Sequence, residues 1–108
     1  SGLRERGSAV FIDFTADWCI TCKANEYMVI ETPEIASALK AGGIIPVQAD
    51  WTSGSDEITR ALKQYGGEGV PLYVLLPASS GAEPIVFPSL LTKGLLINAF
   101  KQVKITQQ

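Results

Sequence analysis

The chain has 108 residues, of which 46% are apolar and 19% charged, and its formal net charge is -2. This length suits one domain that buries roughly two thirds of its unfolded surface, and the near-balance of charges excludes a basic surface for nucleic acid or anionic membrane. The sequence contains no histidine, which excludes Ser-His-Asp and Cys-His catalysis and removes the commonest metal ligand. Proton transfer must therefore fall to other groups.

The sequence offers no recognisable membrane or export signal. No apolar run approaches the roughly 18 residues of a membrane-spanning helix, and residues 1–6 lack the apolar centre of a signal peptide. We therefore expect either a cytoplasmic protein or a mature domain cut from something longer.

The first half of the chain predicts one strand followed by two helices. The continuous apolar run Ala9–Phe14 is typical of a buried parallel strand. A helix is expected to begin near Cys19 and to continue through residues 24–28. A second helix should start after Thr32, because Thr32-Pro33-Glu34 supplies an N-cap, a first-turn proline and an acid.

The second half predicts a second buried strand over Ile44–Ala49 and a helix from Ser55 to the Gly66-Gly67 pair. The apolar runs Leu72–Leu76 and Ile85–Phe87 are joined by turn-forming residues 77–81, which favours an antiparallel hairpin, and a last helix covers residues 92–103. A strand-helix-strand order implies a parallel crossover, so the predicted class is α/β, with a central mixed sheet and helices on both faces. Ligands of such sheets gather beyond the carboxyl ends of parallel strands, which points to the loop after Phe14.

That loop carries two cysteines, Cys19 and Cys22. Their spacing on a first helical turn places the Cα atoms about 5 Å apart, within the range that a disulfide tolerates. Cys19 lies beside unpaired N–H groups at the helix start, which favours its thiolate, whereas Cys22 is one turn in and more buried. The asymmetry predicts that Cys19 attacks a partner disulfide and that Cys22 resolves the mixed disulfide. Such a pair needs no other cofactor.

Other interpretations of the cysteine pair stay open. A structural zinc ion needs four ligands, and two cysteines without histidine supply half of them unless the chain dimerises around the metal. Covalent haem attachment requires a histidine after the second cysteine, where Lys23 stands. The pair could also be inert, or a purely structural bridge.

Two acids and one proline add context to the cysteines. Asp13 falls within a buried strand, where a raised pKa would suit it as the proton acceptor for Cys22; the alternative is an aspartate bonded to backbone groups. Glu26 follows Cys22 by one helical turn, either as an active-site acid or as a solvated glutamate. Pro71 is either a strand stop or a cis proline that leaves the Val70 backbone free to pair with a partner peptide.

Taken together, the segment Phe11–Lys23 and the later Gly69-Val70-Pro71 resemble the thioredoxin superfamily. The resemblance covers residues 9–103 and implies a thioredoxin fold, a redox-active cysteine pair and Asp13 as the buried acid. It also implies that Trp18, Val70 and Pro71 contact the substrate, with Pro71 in the cis form. The chain departs from ordinary thioredoxin in having Ile20-Thr21 between the cysteines and Tyr27 where the helix usually carries a proline.

These departures, together with residues 16–19 and Glu26, are more similar to the C-terminal periplasmic domain of the DsbD family of bacterial membrane reductases. The resemblance implies a protein-disulfide reductase that takes electrons from a transmembrane domain and gives them to a periplasmic acceptor domain, with Glu26 as the second acid. Residues 1–108 would then be one monomeric domain of an inner-membrane protein, and residues 1–8 the remnant of a linker or first helix. Neither nucleic acid nor metal is expected as a partner.

Two alternative functions follow from the same residues. A free-standing thioredoxin-like or cytochrome-maturation reductase shares the chemistry and differs in its partner. A non-catalytic binding module with a thioredoxin fold would have a cysteine pair that does not cycle. The lack of histidine also argues against the strongly oxidising branch of the superfamily, which often carries histidine between its cysteines.

Overall fold

The computed structural model describes residues 7–79 and 82–107, the last four by their backbone alone. The strands are β1 (Val10–Thr15), β2 (Ile45–Asp50), β3 (Leu72–Leu76) and β4 (Ile85–Val86). The helices are α1 (Ile20–Asn25), α2 (Pro33–Ala41), α3 (Asp56–Gln64) and α4 (Lys93–Gln107). None of the helices in the described ranges is long and apolar enough to cross a membrane. The predicted linker at residues 1–8 and turn at residues 77–81 fall partly outside those ranges.

The four strands form one mixed sheet in the order β2-β1-β3-β4. β1 and β2 run parallel, whereas β3 is antiparallel to both β1 and β4. The predicted parallel crossover and the predicted hairpin are therefore both confirmed. In this register Asp13 on β1 lies opposite Gln48 on β2 and Tyr73 on β3.

Side chains of β1 alternate between two apolar layers, as the period of a strand requires. Val10 and Phe14 pack with Leu62 of α3 on one face of the sheet. Phe11 packs on the other face against Phe100 of α4 and an aromatic ring of β3, in a cluster that also includes α2. The predicted α/β class with helices on both faces is confirmed. Asp13, two residues after Phe11, is carried on the same face as the cysteine helix.

The expectation that the second strand is buried is wrong. Pro46, Val47 and Gln48 of β2 are all exposed. The reason is non-local: within the described residues β2 pairs with β1 alone and forms an edge of the sheet. Proline suits such a position, since it has no N–H to donate to a neighbouring strand.

The helix after the cysteines changes type along its length. It is α-helical from Ile20 to Asn25, as predicted, but residues 26–30 form a π-helical segment rather than a continuation of the α-helix. Asn25 fixes this helix in place: its amide donates to the Tyr73 hydroxyl and to the Ser89 carbonyl, and its oxygen accepts from the Leu91 N–H. The helix that carries the cysteines is thereby attached to β3 and to the segment before α4.

Candidate active site

Cys19 and Cys22 form a disulfide at the start of α1. Their Cα atoms are 5.2 Å apart, in agreement with the spacing argument. Cys19 is the N-cap of the helix, and its sulfur accepts the backbone N–H of Cys22 at 3.2 Å. Cys19 is 7% exposed and Cys22 is fully buried, so a partner sulfur can approach the disulfide at Cys19. The predicted difference in burial between the two cysteines is confirmed.

Apolar groups surround the disulfide. Ala16 and Val70 pack against the two cysteines, and the peptide bond between Val70 and Pro71 is cis. Trp18 is 58% exposed immediately before Cys19, and Ile20 is 86% exposed immediately after it. The structure therefore places Val70 beside the sulfurs and Trp18 at the rim of the same site, with Pro71 following Val70.

Asp13 is 6% exposed, and within the described part of the chain its Oδ1 accepts no hydrogen bond. Burial raises the pKa of Asp13 to about 7, and the nearby charge of Glu26 adds to the rise, with a smaller contribution from Glu31. The pKa of Asp13 is lowered by a hydrogen bond from the Gln48 side chain and by the Lys23 charge, but these effects do not cancel the rise. The structure therefore provides a carboxyl group that exchanges its proton near neutral pH.

Glu26 is buried and held by two partners. The Thr15 hydroxyl donates to its Oε2 at 2.5 Å, and the Lys23 ammonium lies 3.6 Å from its Oε1. Lys23 also lies 3.6 Å from the exposed carboxylate of Asp17. The alternative of a solvated glutamate is therefore wrong: Glu26 shares the inward face of the helix with Cys22, and its charge acts on Asp13.

Three polar residues of this region escaped the sequence interpretation. Thr15 could have been found by period-two spacing, since it follows Asp13 by two residues on the same face of β1. Asn25 could have been found by helical spacing, three residues after Cys22. The bonds of Thr52 to Asp17 and Trp18 could not have been found, because those residues are distant in sequence.

The fold and the disulfide at the start of α1 together define a domain of the thioredoxin class. A family model described as thioredoxin-like matches residues 1–78, and the chain belongs to that family. Within the described residues no group of three or more His, Cys, Asp or Glu side chains is placed to hold a metal ion.

Within this class the chain is similar to the thiol:disulfide interchange protein DsbD. It is 33% identical over 79 residues to DsbD of Cronobacter sakazakii and 35% identical over 78 residues to DsbD of Neisseria meningitidis serogroup A. The matches cover 73% and 71% of this chain and 13% of each relative. The chain thus corresponds to a small part of the length of these proteins.

Solved structures give the same relationship. The oxidised C-terminal domain of Neisseria meningitidis DsbD is 28% identical with a TM-score of 0.71, and the match covers 94% of this chain and 85% of that one. The reduced form is 27% identical with a TM-score of 0.72, covering 94% and 86%. A thioredoxin from Thermus thermophilus has a TM-score of 0.79 at 19% identity over 98% of this chain and 82% of that one, which shows the shared fold.

Proposed function

We propose that this domain relays electrons by dithiol-disulfide exchange from a membrane-embedded donor domain to a periplasmic acceptor domain. The observation that carries the proposal is a disulfide approachable at Cys19, on a helix whose buried Glu26 acts electrostatically on Asp13. Similarity to the C-terminal domain of DsbD supports the choice of partners. In this proposal the chain is one domain of a longer inner-membrane protein and lies in the periplasm.

Reduction of the domain begins with a thiolate of the donor. It attacks the Cys19 sulfur, the disulfide breaks, and the Cys22 sulfur leaves with the bonding electron pair and takes up a proton. The second thiolate of the donor then attacks the donor sulfur that is bonded to Cys19 in the mixed disulfide. This step expels Cys19 as the thiolate and closes a disulfide within the donor. The donor is thereby oxidised to a disulfide, and the domain holds two electrons as the reduced cysteine pair.

Oxidation of the domain by the acceptor uses Cys19 as the nucleophile. The Cys19 thiolate attacks the acceptor disulfide and displaces one acceptor thiolate, which takes up a proton. The Cys22 thiol gives its proton to the Asp13 carboxylate, and the Cys22 thiolate attacks the Cys19 sulfur. The second acceptor thiolate leaves, the Cys19–Cys22 disulfide reforms, and the acceptor is reduced to a dithiol.

Asp13 suits this proton transfer because a general base works best when its pKa lies near the operating pH. Burial is the largest cause of the raised pKa of Asp13, and the charge of Glu26 is the next largest. In the proposal Glu26 is therefore the second acid of the site, acting through Asp13. Thr15 and Lys23 hold the Glu26 carboxylate in position.

The partner polypeptide would lie across the site between Trp18 and Val70. Trp18 provides an exposed aromatic surface next to Cys19, and Val70 packs against the two cysteines. The backbone of Val70, which lies just before Pro71 and β3, would pair with an extended segment of the partner.

The test is to trap the mixed disulfide. Reduced Cys22→Ala is mixed with the oxidised N-terminal periplasmic domain of a DsbD relative, and the products are separated on a non-reducing gel. We expect a covalent adduct through Cys19, which dithiothreitol cleaves by reducing the mixed disulfide. The matched Cys19→Ala variant should form no adduct. Adduct formation through Cys22 instead would overturn the assignment of roles. A wild-type pair that reduces no disulfide would favour the binding-module alternative.

A further inference from the structure

The loop between β2 and α3, residues 51–55, contacts the segment that leads into the disulfide. The Thr52 hydroxyl accepts the backbone N–H of Asp17 at 2.8 Å, and the Thr52 carbonyl accepts the indole N–H of Trp18 at 3.1 Å. These bonds join positions 34 and 35 residues apart in the chain. They fix the backbone of Asp17 and the indole ring of Trp18, the two residues before Cys19.

Thr52 is itself oriented by Asp50 at the end of β2. The Asp50 carboxylate accepts the Thr52 backbone N–H at 2.9 Å and the Thr52 hydroxyl proton at 2.5 Å. These bonds hold the pKa of Asp50 below its ordinary value, so this carboxylate stays ionised at neutral pH. Because the single hydroxyl proton of Thr52 is donated to Asp50, the oxygen lone pairs are free to accept from Asp17.

The neighbouring Trp51 extends the contact to the other side of the site. Its ring lies 6.0 Å from the Trp18 ring, centroid to centroid, and its indole N–H donates to the Thr59 hydroxyl in α3. A Cβ placed on Gly69, just before Val70, would lie 3.7 Å from the Trp51 ring. The loop therefore contacts the segment before Cys19 and lies beside the segment before Pro71.

We propose that Thr52 is a positioning residue for recognition of protein partners: it holds Trp18 at a fixed separation from Val70, so that the site is already shaped for an extended polypeptide. This inference rests on the proposed function. The bonds that Thr52 makes go to backbone, indole and carboxylate groups, whereas the redox step takes place at sulfur. A preorganised site spares the partner the entropy cost of ordering that segment on binding.

Loss of the hydroxyl should therefore affect large and small disulfides differently. In Thr52→Val the side chain keeps its shape but loses the hydroxyl. The Asp17 N–H then has no Thr52 oxygen to donate to, and the Asp50 carboxylate loses the hydroxyl donor. We expect the KM for reduction of insulin to rise about fivefold, the factor that corresponds to one hydrogen bond of ordinary strength. The second-order rate with dipyridyl disulfide, which has no polypeptide segment to bind between Trp18 and Val70, should stay within about twofold of wild type.

The experiment compares four proteins: wild type, Thr52→Val, Thr52→Ser and Thr92→Val. Insulin reduction uses dithiothreitol as electron source, whereas dipyridyl disulfide, which dithiothreitol reduces directly, is mixed with pre-reduced protein freed of dithiothreitol. Thr52→Ser keeps the hydroxyl and should restore the wild-type KM. Thr92→Val is the matched control, since it removes a threonine hydroxyl that caps α4 and should leave the KM unchanged. A wild-type protein that fails to reduce insulin would contradict the proposed function. If the wild type is active, three results would overturn the role of Thr52. They are an unchanged KM in Thr52→Val, equal losses of activity toward insulin and dipyridyl disulfide, and a KM that Thr52→Ser does not restore.

Discussion

Asp13 should make the stability of this domain depend on pH. Its pKa is 3.8 in an ordinary setting and about 7 in the fold, so the unfolded chain releases this proton at a lower pH than the folded domain. Below the lower value both states are protonated and no stability is lost. Between the two values the unfolded state ionises while the folded state does not, and stability falls as the pH rises. The full loss, about 4 kcal/mol, is reached above the higher value.

Asp13→Asn removes this titration while keeping the size of the side chain. Relative to wild type, the variant should gain about 2.5 kcal/mol of unfolding free energy between about pH 5 and about pH 8. Any constant cost of the new amide group cancels in this difference between two pH values. Urea unfolding of the oxidised proteins, followed by tryptophan fluorescence, measures the quantity directly.

Asp17→Asn is the matched control, because the Asp17 side chain is 79% exposed and its ion pair with Lys23 lies at the surface. Its unfolding free energy relative to wild type should change by well under about 1 kcal/mol over the same pH range. Parallel stability curves for wild type and Asp13→Asn would contradict a raised pKa of Asp13, because they would mean that Asp13 ionises in the fold as easily as in the unfolded chain.

Further substitutions test the surroundings of Asp13 and the backbone. Glu26→Gln should lower the pKa of Asp13, followed by NMR of its carboxyl carbon, and an unchanged value would contradict the coupling of the two acids. Asn25→Ala should cost about 3 kcal/mol in urea unfolding, because it leaves buried polar partners unsatisfied; a loss below about 1 kcal/mol would show that water replaces the amide. Gly66→Ala should lower the free energy of unfolding by about 1 kcal/mol, because Gly66 has a φ of +80°. Gly69→Ala should lower it less, because the added methyl group meets the Trp51 ring at ordinary contact distance.

The parts of the fold that could be predicted are those set by local geometry. The apolar run of β3 was predicted with its observed bounds, and β1 to within one residue. The cap of α2 was found because Thr32 and Pro33 act within a single turn, and the Thr32 hydroxyl does accept the Ile35 N–H. The separation of the cysteines followed from helix dimensions alone.

The parts that were missed depend on which segments meet in space. An apolar run cannot show whether its strand lies inside a sheet or at an edge, so the exposure of β2 was not foreseen. The hydroxyl that donates to Glu26 belongs to Thr15, eleven residues earlier on another element. Helical spacing marked Glu26 as a neighbour of Cys22, but its burial and its bond to Thr15 required the packed structure.

The reduction potential of the Cys19–Cys22 pair, measured by equilibration with glutathione buffers, shows whether the domain donates electrons to its substrates or accepts them. Buried carboxylates near a cysteine pair disfavour the thiolate, so the reduced form lacks the stabilisation that makes a strong oxidant. We expect a reductase, with a potential of about −200 to −270 mV, toward the thioredoxin end of the scale. A potential near about −120 mV, as in DsbA, would show that the pair accepts electrons from its substrates and would contradict the proposed direction of transfer.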